Sequence, residues 1–226
     1  MPKLLELFAG TGSVGKAARA QGWDVVSLDI EAGHTIQSDI LAWDHTTYPP
    51  GYFDWVHGSP PCTQYSRART RSKTPRDLDL ADAIVQKTLD VIAYHRAAFT
   101  LENPFTGLMK VRPCMGGLSP FLNVVTYCSY GFPYKKQTAI WSNLGEFWRP
   151  RPACCKALAC HNVVDGRHNQ TAQRGPSKVD GVRRANDSFS LRELYALPGE
   201  LCLELAQAAT RAVHSERALL QFRNVD

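Results

Sequence analysis

"KLLELFAGTGSVGKAARAQG", residues 3–22, decides the fold. "KLLELF" (3–8) is a short apolar run that closes on Ala9-Gly10, as a buried strand does. "VGKAARAQG" (14–22) carries alanines at helical spacing and stops at Gly22. Between them Gly10, Gly12 and Gly15 read G-x-G-x-x-G, placed between a strand and a helix as the motif requires. Without side chains there, backbone N–H groups can approach a ligand closely. The helix N-terminus that follows favours a carboxylate or phosphate.

The pattern continues outward from this unit. "WDVVSLDI" (23–30) reads as a second strand ending in Asp29, an acid placed to accept both ribose hydroxyls of an adenosine. Asp39, ten residues on, is placed to accept from an adenine amino group. The glycine loop alone does not separate a dinucleotide from S-adenosylmethionine (AdoMet). A further strand is predicted at about 53–57. A long helix is predicted from Thr74, where Thr74-Pro75-Arg76-Asp77 resembles a capping box, with Leu80, Ile84, Thr88, Val91 and His95 along one face. "AAFTLENP" (97–104) is the next strand, and 123–131 and 138–143 read as two more around a turn. Alternating strand and helix predict an α/β fold, a parallel, doubly wound Rossmann-like sheet.

Residues 1–144 are therefore assigned to the sheet domain. Residues 145–187 hold Pro150, Pro152 and Pro176 and few apolar runs, and are read as a small irregular insert. Residues 188–226 return to helical pattern and are expected to dock back on the sheet. The 226 residues are 44% hydrophobic, which supports a real core and excludes global disorder. The net charge of +5 leans only mildly toward a polyanionic partner, but the basic residues cluster: Arg67, Arg69, Arg71, Lys73 and Arg76, then Arg149 through Arg184. No apolar run reaches membrane-spanning length, so a cytoplasmic or nuclear monomer is expected, with no membrane partner. Seven cysteines in that setting suggest thiol chemistry or metal rather than a disulfide framework.

"HGSPPCTQYS" (57–66) sets Cys62 directly behind two prolines. Each proline fixes its own φ and restricts the residue before it, so the backbone from Ser59 to Cys62 is stiff and can aim a thiol. In "LENP", Glu102-Asn103 sits at the end of a strand, where a parallel sheet presents catalytic groups.

Taken in order, these stretches resemble the cytosine carbon-5 methyltransferase family. "LLELFAGTGSVG" resembles its AdoMet-binding first motif, "GSPPCTQYS" its Pro-Cys nucleophile motif and "LENP" its Glu-Asn-Val motif. "YGFPYKKQTAIW" (130–141) resembles its Tyr-Gly-x-Pro-Gln-x-Arg-x-Arg motif, and "FSLRELYALP" (189–198) faintly resembles its Arg-Glu motif and closing helix. The resemblance implies an AdoMet-dependent methyltransferase acting on DNA. It places the cofactor on Phe8, Ala9, Gly10, Thr11, Gly12, Ser13, Val14, Asp29, Ile30, Asp39, Ile40 and Pro60. It makes Cys62 the nucleophile, adding to carbon 6 of cytosine, and Glu102 the acid that stabilises the charge developing toward ring nitrogen 3. Lys136 is the third catalytic residue. Thiolate character at Cys62 requires nearby cations, for which Arg67 and Arg69 are the candidates. Ser66, Arg67, Arg69, Arg71, Lys135 and Arg174 are the expected nucleic-acid contacts. Asn103 is expected to shape the loop and take no chemical part.

The chain departs from the family's pattern in several places. Lys136 stands at the family's first arginine and Thr138 at its second, which contacts the cytosine ring. Arg174 is the candidate to fill that gap. The insert is short for a recognition region, so specificity should be low or shape-based and binding strongly salt-dependent. Within it, Cys154, Cys155, Cys160, His161 and His168 are candidate ligands for a structural zinc ion. Three alternatives stand beside the DNA reading: the same chemistry on RNA, a weakly catalytic nucleic-acid-binding protein, and AdoMet-dependent transfer of a different group.

Overall fold

The computed structural model describes residues 1–67, 69, 72–154, 160, 162–164, 167–168, 170, 172, 178–179, 182–183 and 189–223. Seven strands form one sheet: β1 (Lys3–Leu7), β2 (Asp24–Asp29), β3 (Ile36–Gln37), β4 (Trp55–Gly58), β5 (Ala98–Pro104), β6 (Leu122–Thr126) and β7 (Gln137–Ser142). Their spatial order is β3-β2-β1-β4-β5-β7-β6. Among the described residues four α-helices accompany them: α1 (Ser13–Ala20), α2 (Leu78–His95), α3 (Leu191–Tyr195) and α4 (Gly199–Arg223). No helix among the described residues is long and apolar enough to cross a membrane.

Strand periodicity builds two cores from one sheet, because successive side chains leave opposite faces. Leu4, Trp55, Val125 and Ile140 pack with α1 and α4 on one face. Leu5, Leu7 and Val56, with Phe99, Leu101 and Trp141, pack on the other, where α2 lies. Helix α4 contributes Leu201, Cys202, Leu205, Ala206 and Ala209, all buried; small residues let it lie close to the sheet. Trp23 Nε1 donates to Thr210 Oγ1 at 2.9 Å and fastens α4 to the turn after α1.

The doubly wound sheet is as expected, with one difference: it is not parallel throughout. β7 runs antiparallel to both β5 and β6. The cause is the short connection from β6 to β7, which leaves no room for a crossover helix. The reversal matters for the site. The carboxyl ends of β1, β2, β4 and β5 share one edge, with Leu7 level with Leu28 and Gly58, and Gly58 level with Leu101. An antiparallel β7 begins at that same edge, opposite Pro104, and so delivers Lys136 to it.

Helix α2 starts later than predicted. The Thr74 hydroxyl accepts from Arg69 Nη2 at 2.6 Å, and Asp77 is the N-cap instead, accepting from Leu80 N–H at 2.9 Å. The buried face is then Ala81, Val85, Thr88, Val91 and His95, while Leu80 is 47% exposed. Residues 190–215 form two helices, because Pro198 forces the residue before it out of helical geometry. A capping box at Ser190 and Glu193 opens α3.

Candidate active site

The sheet order reverses between β1 and β4, and the crevice outside that switch point is where open α/β sheets bind ligands. A cavity of about 720 Å³ occupies it. Its walls come from the loop after β1 (Phe8–Thr11, Ser13, Val14), the end of β2 (Asp29), the loop after β4 (Ser59–Thr63), the end of β5 (Glu102, Pro104), Lys136, and α3 with Leu197.

The glycine loop turns sharply. Phe8, Gly10 and Gly12 have φ of 56°, 48° and 65°. Left-handed backbone at a non-glycine such as Phe8 is strained, and such strain concentrates at ligand sites. Gly10 N–H donates to Asp29 Oδ2 at 2.9 Å, tying the loop to the end of β2. Beneath the loop lies Glu6, a residue that sequence reasoning passed over. It is buried and lines the cavity, and its Oε1 accepts from Gly15 N–H at 3.0 Å. A Cβ on Gly15 would fall 2.3 Å from Glu6 Oε2, so the third glycine of the motif is a close-approach position. Burial raises the Glu6 carboxyl above the usual range. The signal available in sequence was an acid at a strand position otherwise filled by leucines.

The cysteine loop is held from both sides. Asn103 Nδ2 donates to the Pro60 carbonyl at 2.9 Å, which is the shaping role expected of it. Fully buried Tyr65 donates through its hydroxyl to Asp82 at 2.8 Å, and Asp82 takes Arg112 in a two-pronged ion pair. Cys62 is half-buried, facing the cavity. Burial raises its thiol pKa, Glu102 raises it further, and Lys136 opposes both. The cation bearing on Cys62 is thus Lys136, not Arg67 or Arg69 as expected. Arg69 instead spans its own loop, bonding Gln64 and the Thr74 and Pro75 carbonyls, while Arg67 is exposed. Short side-chain-to-backbone bonds within a loop win because they are already nearly closed in sequence.

Glu102 is buried at the end of β5. Burial raises its carboxyl pKa; Lys136 and hydrogen bonds from Tyr127 and Ser59 pull it part of the way back. Tyr127 Oη donates to Glu102 Oε1 at 3.4 Å. Behind Ser59 stands buried His57, also missed in the sequence, with its pKa pushed down to about 3 by burial. His57 Nε2 lies 3.0 Å from Ser59 Oγ, and its Nδ1 lies 2.8 Å from Thr100 Oγ1. Thr100 Oγ1 also accepts from Trp55 Nε1 at 3.0 Å, so its single proton is available for Nδ1. Nε2–H then donates to Ser59, whose own proton can point to Glu102. Lys136 Nζ donates to the Leu194 carbonyl at 2.8 Å and sits 4.7 Å from the Tyr127 ring centre, so it ties α3 to the same cluster.

No protein-family model matches the chain. A curated protein of Frog virus 3 (isolate Goorha), described as "Probable DNA (cytosine-5)-methyltransferase", is 30% identical over 218 residues, 90% of this chain and 98% of that one. This chain belongs to the DNA (cytosine-5)-methyltransferase family. Among solved structures, the Entamoeba histolytica methyltransferase EhMeth superposes with a TM-score of 0.58 at 11% identity, covering 94% of this chain and 99% of that one, a likeness of fold. The S. pombe Dnmt2 methyltransferase gives a TM-score of 0.45 at 15% identity over 62% of this chain and 50% of its own.

The remaining residues singled out for this member of the family fall into four groups. Gly12, Ile30, Asp39 and Ile40 do not line the cavity. Gly12 caps α1, and Ile30 is 67% exposed beside Asp29. Asp39 accepts from Leu41 N–H in its own turn, and Ile40 is buried in the core beside Leu28. Thr138 is fully buried in β7, opposite Val125 and Pro104, and is likewise absent from the cavity wall. Ser66 is half-buried, its carbonyl held by Arg76, and Lys135 is exposed. Arg71, Arg174, Cys155 and His161 lie outside the described residues. Cys154, Cys160 and His168 come together, with Cys128 joining them.

Proposed function

We propose that this protein transfers a methyl group from AdoMet to carbon 5 of cytosine in DNA, through a covalent adduct between Cys62 and cytosine carbon 6. One observation carries the reading: a thiol, a raised-pKa carboxyl and an ammonium share a cavity with a glycine loop and a strand-end aspartate. The donor set suits AdoMet. Loop N–H groups and the start of α1 favour its carboxylate. Asp29 is half-buried at the cavity wall and has acceptor sites beyond the two backbone N–H groups it already serves. AdoMet supplies, when bound, an electrophilic methyl group.

The residues of this chain do the rest. The target base must leave the stack to enter the cavity. Cys62 Sγ bonds to carbon 6, and the electron pair of the 5,6 double bond moves toward carbon 5 and nitrogen 3. Glu102, whose burial favours the protonated form, gives its proton to nitrogen 3. Burial disfavours the Glu102 carboxylate until the ring becomes basic enough to take the proton, so the acid matches the step it serves. Lys136 offsets the burial cost of the thiolate. After carbon 5 takes the methyl group, whose bond to the donor sulfur breaks with the electron pair left on that sulfur, a base removes the carbon-5 proton, the S–C6 bond breaks and Cys62 leaves as thiolate. Nitrogen 3 returns its proton to Glu102.

The test uses AdoMet with matched DNA and RNA oligonucleotides containing 5-fluorocytosine, on the wild type and on Cys62→Ala. Fluorine blocks the final elimination, so a denaturing gel should show a DNA adduct that the variant lacks. An adduct on RNA alone keeps the mechanism and overturns the substrate. No adduct on either polymer, with AdoMet binding measured, overturns the mechanism in favour of a nucleic-acid-binding protein.

A further inference from the structure

Cys128 sits in the turn after β6, on the catalytic sheet, and is buried. Its Sγ lies 3.6 Å from Cys154 Sγ, and Cys160 Sγ lies 3.5 Å from His168 Nε2. The Cys160 thiol also interacts with the thiols of Cys154 and Cys128. The ligand atoms of Cys128, Cys160 and His168 all lie within 4.8 Å of one another. From these positions we propose a tetrahedral Cys3His zinc site made by Cys128, Cys154, Cys160 and His168, which staples the insert to the catalytic sheet.

Two separations argue against a chance cluster, with Cys154 close to Cys128 though beyond 4.8 Å of at least one other ligand atom. With zinc–sulfur bonds of about 2.3 Å and zinc–nitrogen bonds of about 2.0–2.1 Å, the edges of a tetrahedron are roughly 3.8 Å between sulfurs and roughly 3.6 Å between sulfur and nitrogen. The two observed separations lie close to those edges. A disulfide needs sulfurs at about 2.0 Å, so the Cys128–Cys154 separation is too long for one. Four soft or borderline ligands with no carboxylate among them select zinc over magnesium or calcium.

The setting gives the site a purpose. The insert is poor in apolar residues, and a segment that cannot build its own core gains its folding free energy from metal. The polar contacts converge on the same turn. Cys154 N–H and the Ser129 hydroxyl bond at 3.1 Å, the Ser129 hydroxyl donates to the Pro152 carbonyl at 3.0 Å, and Asn162 Nδ2 donates to the Phe132 carbonyl at 3.2 Å. Tyr127, which precedes Cys128, is one of the residues that hydrogen-bond Glu102. A zinc at Cys128 would therefore fix the insert against the turn that supports the catalytic carboxyl. The sequence reading put the ligands inside the insert alone; the fourth comes from the sheet.

The experiment measures zinc per chain by atomic emission on protein purified without chelator under reducing conditions, for the wild type, Cys128→Ser, Cys160→Ser and the control Cys114→Ser. One zinc per chain is expected in the wild type and in Cys114→Ser. Cys128→Ser and Cys160→Ser should lose affinity by more than the ~10–100-fold typical of an outer-sphere lesion. Should those variants fail to fold, cobalt(II) exchanged into wild-type protein gives the answer independently. Intense visible bands of tetrahedral cobalt with a thiolate charge-transfer band support the site. Metal-free wild type with a featureless cobalt spectrum overturns it, as does an oxidised cysteine pair in the intact mass. Zinc retained in Cys128→Ser overturns the staple and confines the ligands to the insert.

Discussion

Gly15→Ala tests whether the third glycine exists to admit Glu6. The new methyl would stand 2.3 Å from Glu6 Oε2 and 3.2 Å from Val25 Cγ1. Glu6 is buried and its carboxyl already holds Gly15 N–H, so it has little room to retreat. Overpacking costs about 1–3 kcal/mol. Displacing the carboxylate from its buried hydrogen bond adds roughly 1.5–3 kcal/mol. Alanine recovers about 0.5–1 kcal/mol as the better helix former, since Gly15 lies in α1. The net loss should be about 1.5–5.5 kcal/mol. At about 2–4 °C per kcal/mol for a chain of this size, Tm should fall by roughly 3–22 °C. Thermal unfolding followed by circular dichroism measures it. Gly117→Ala is the control: Gly117 is exposed, its added Cβ meets nothing within 4 Å, and the change should stay within about 0.5 kcal/mol. In a Glu6→Ala background the Gly15→Ala penalty should largely vanish, because the clash partner is gone. A Gly15→Ala protein as stable as wild type, or penalties that simply add, would refute the close-approach account.

Glu102→Gln should abolish the 5-fluorocytosine adduct while stabilising the fold above acidic pH. The folded-state pKa of Glu102 lies above its ordinary value of 4.5, so its contribution to stability is fully present below that value and is lost as pH rises through the folded pKa. The stability advantage of Glu102→Gln, read from urea midpoints, should therefore grow from pH 4.5 upward; a pH-independent difference contradicts it. Lys136→Met removes the cation that lowers the Cys62 thiol pKa, so the pH profile of iodoacetamide alkylation at Cys62 should move to higher pH. The same change at exposed Lys135 should leave the profile in place, and equal profiles for both variants would remove Lys136 from the site.

Local stretches were legible where their physics is local. The glycine turn, the proline-stiffened cysteine loop and the strand-end Glu102 each carry their geometry within a few residues. Glu6 and His57 were not, because only packing across neighbouring strands and α1 buries them at the cavity wall. The start of α2 was misplaced because Arg69, five residues upstream, competes for the Thr74 hydroxyl. Arg67 and Arg69 were plausible partners for Cys62 by proximity in sequence, but the bend of their loop turns Arg69 onto its own backbone.

The sequence by itself determined the fold class, the ligand loop and the thiol, since backbone restriction and hydrophobic period act over short spans. Tertiary structure alone decided which cation faces Cys62, which hydroxyls reach Glu102 and which sulfur joins the cysteine–histidine cluster. Lys136 is 74 positions from Cys62 in the numbering, and it arrives only because β7 reverses direction at the sheet edge. Cys128 is separated from Cys154 by 26 positions and meets it only where the insert folds back on the β6–β7 turn. Such contacts depend on strand order and direction, which no local periodicity encodes.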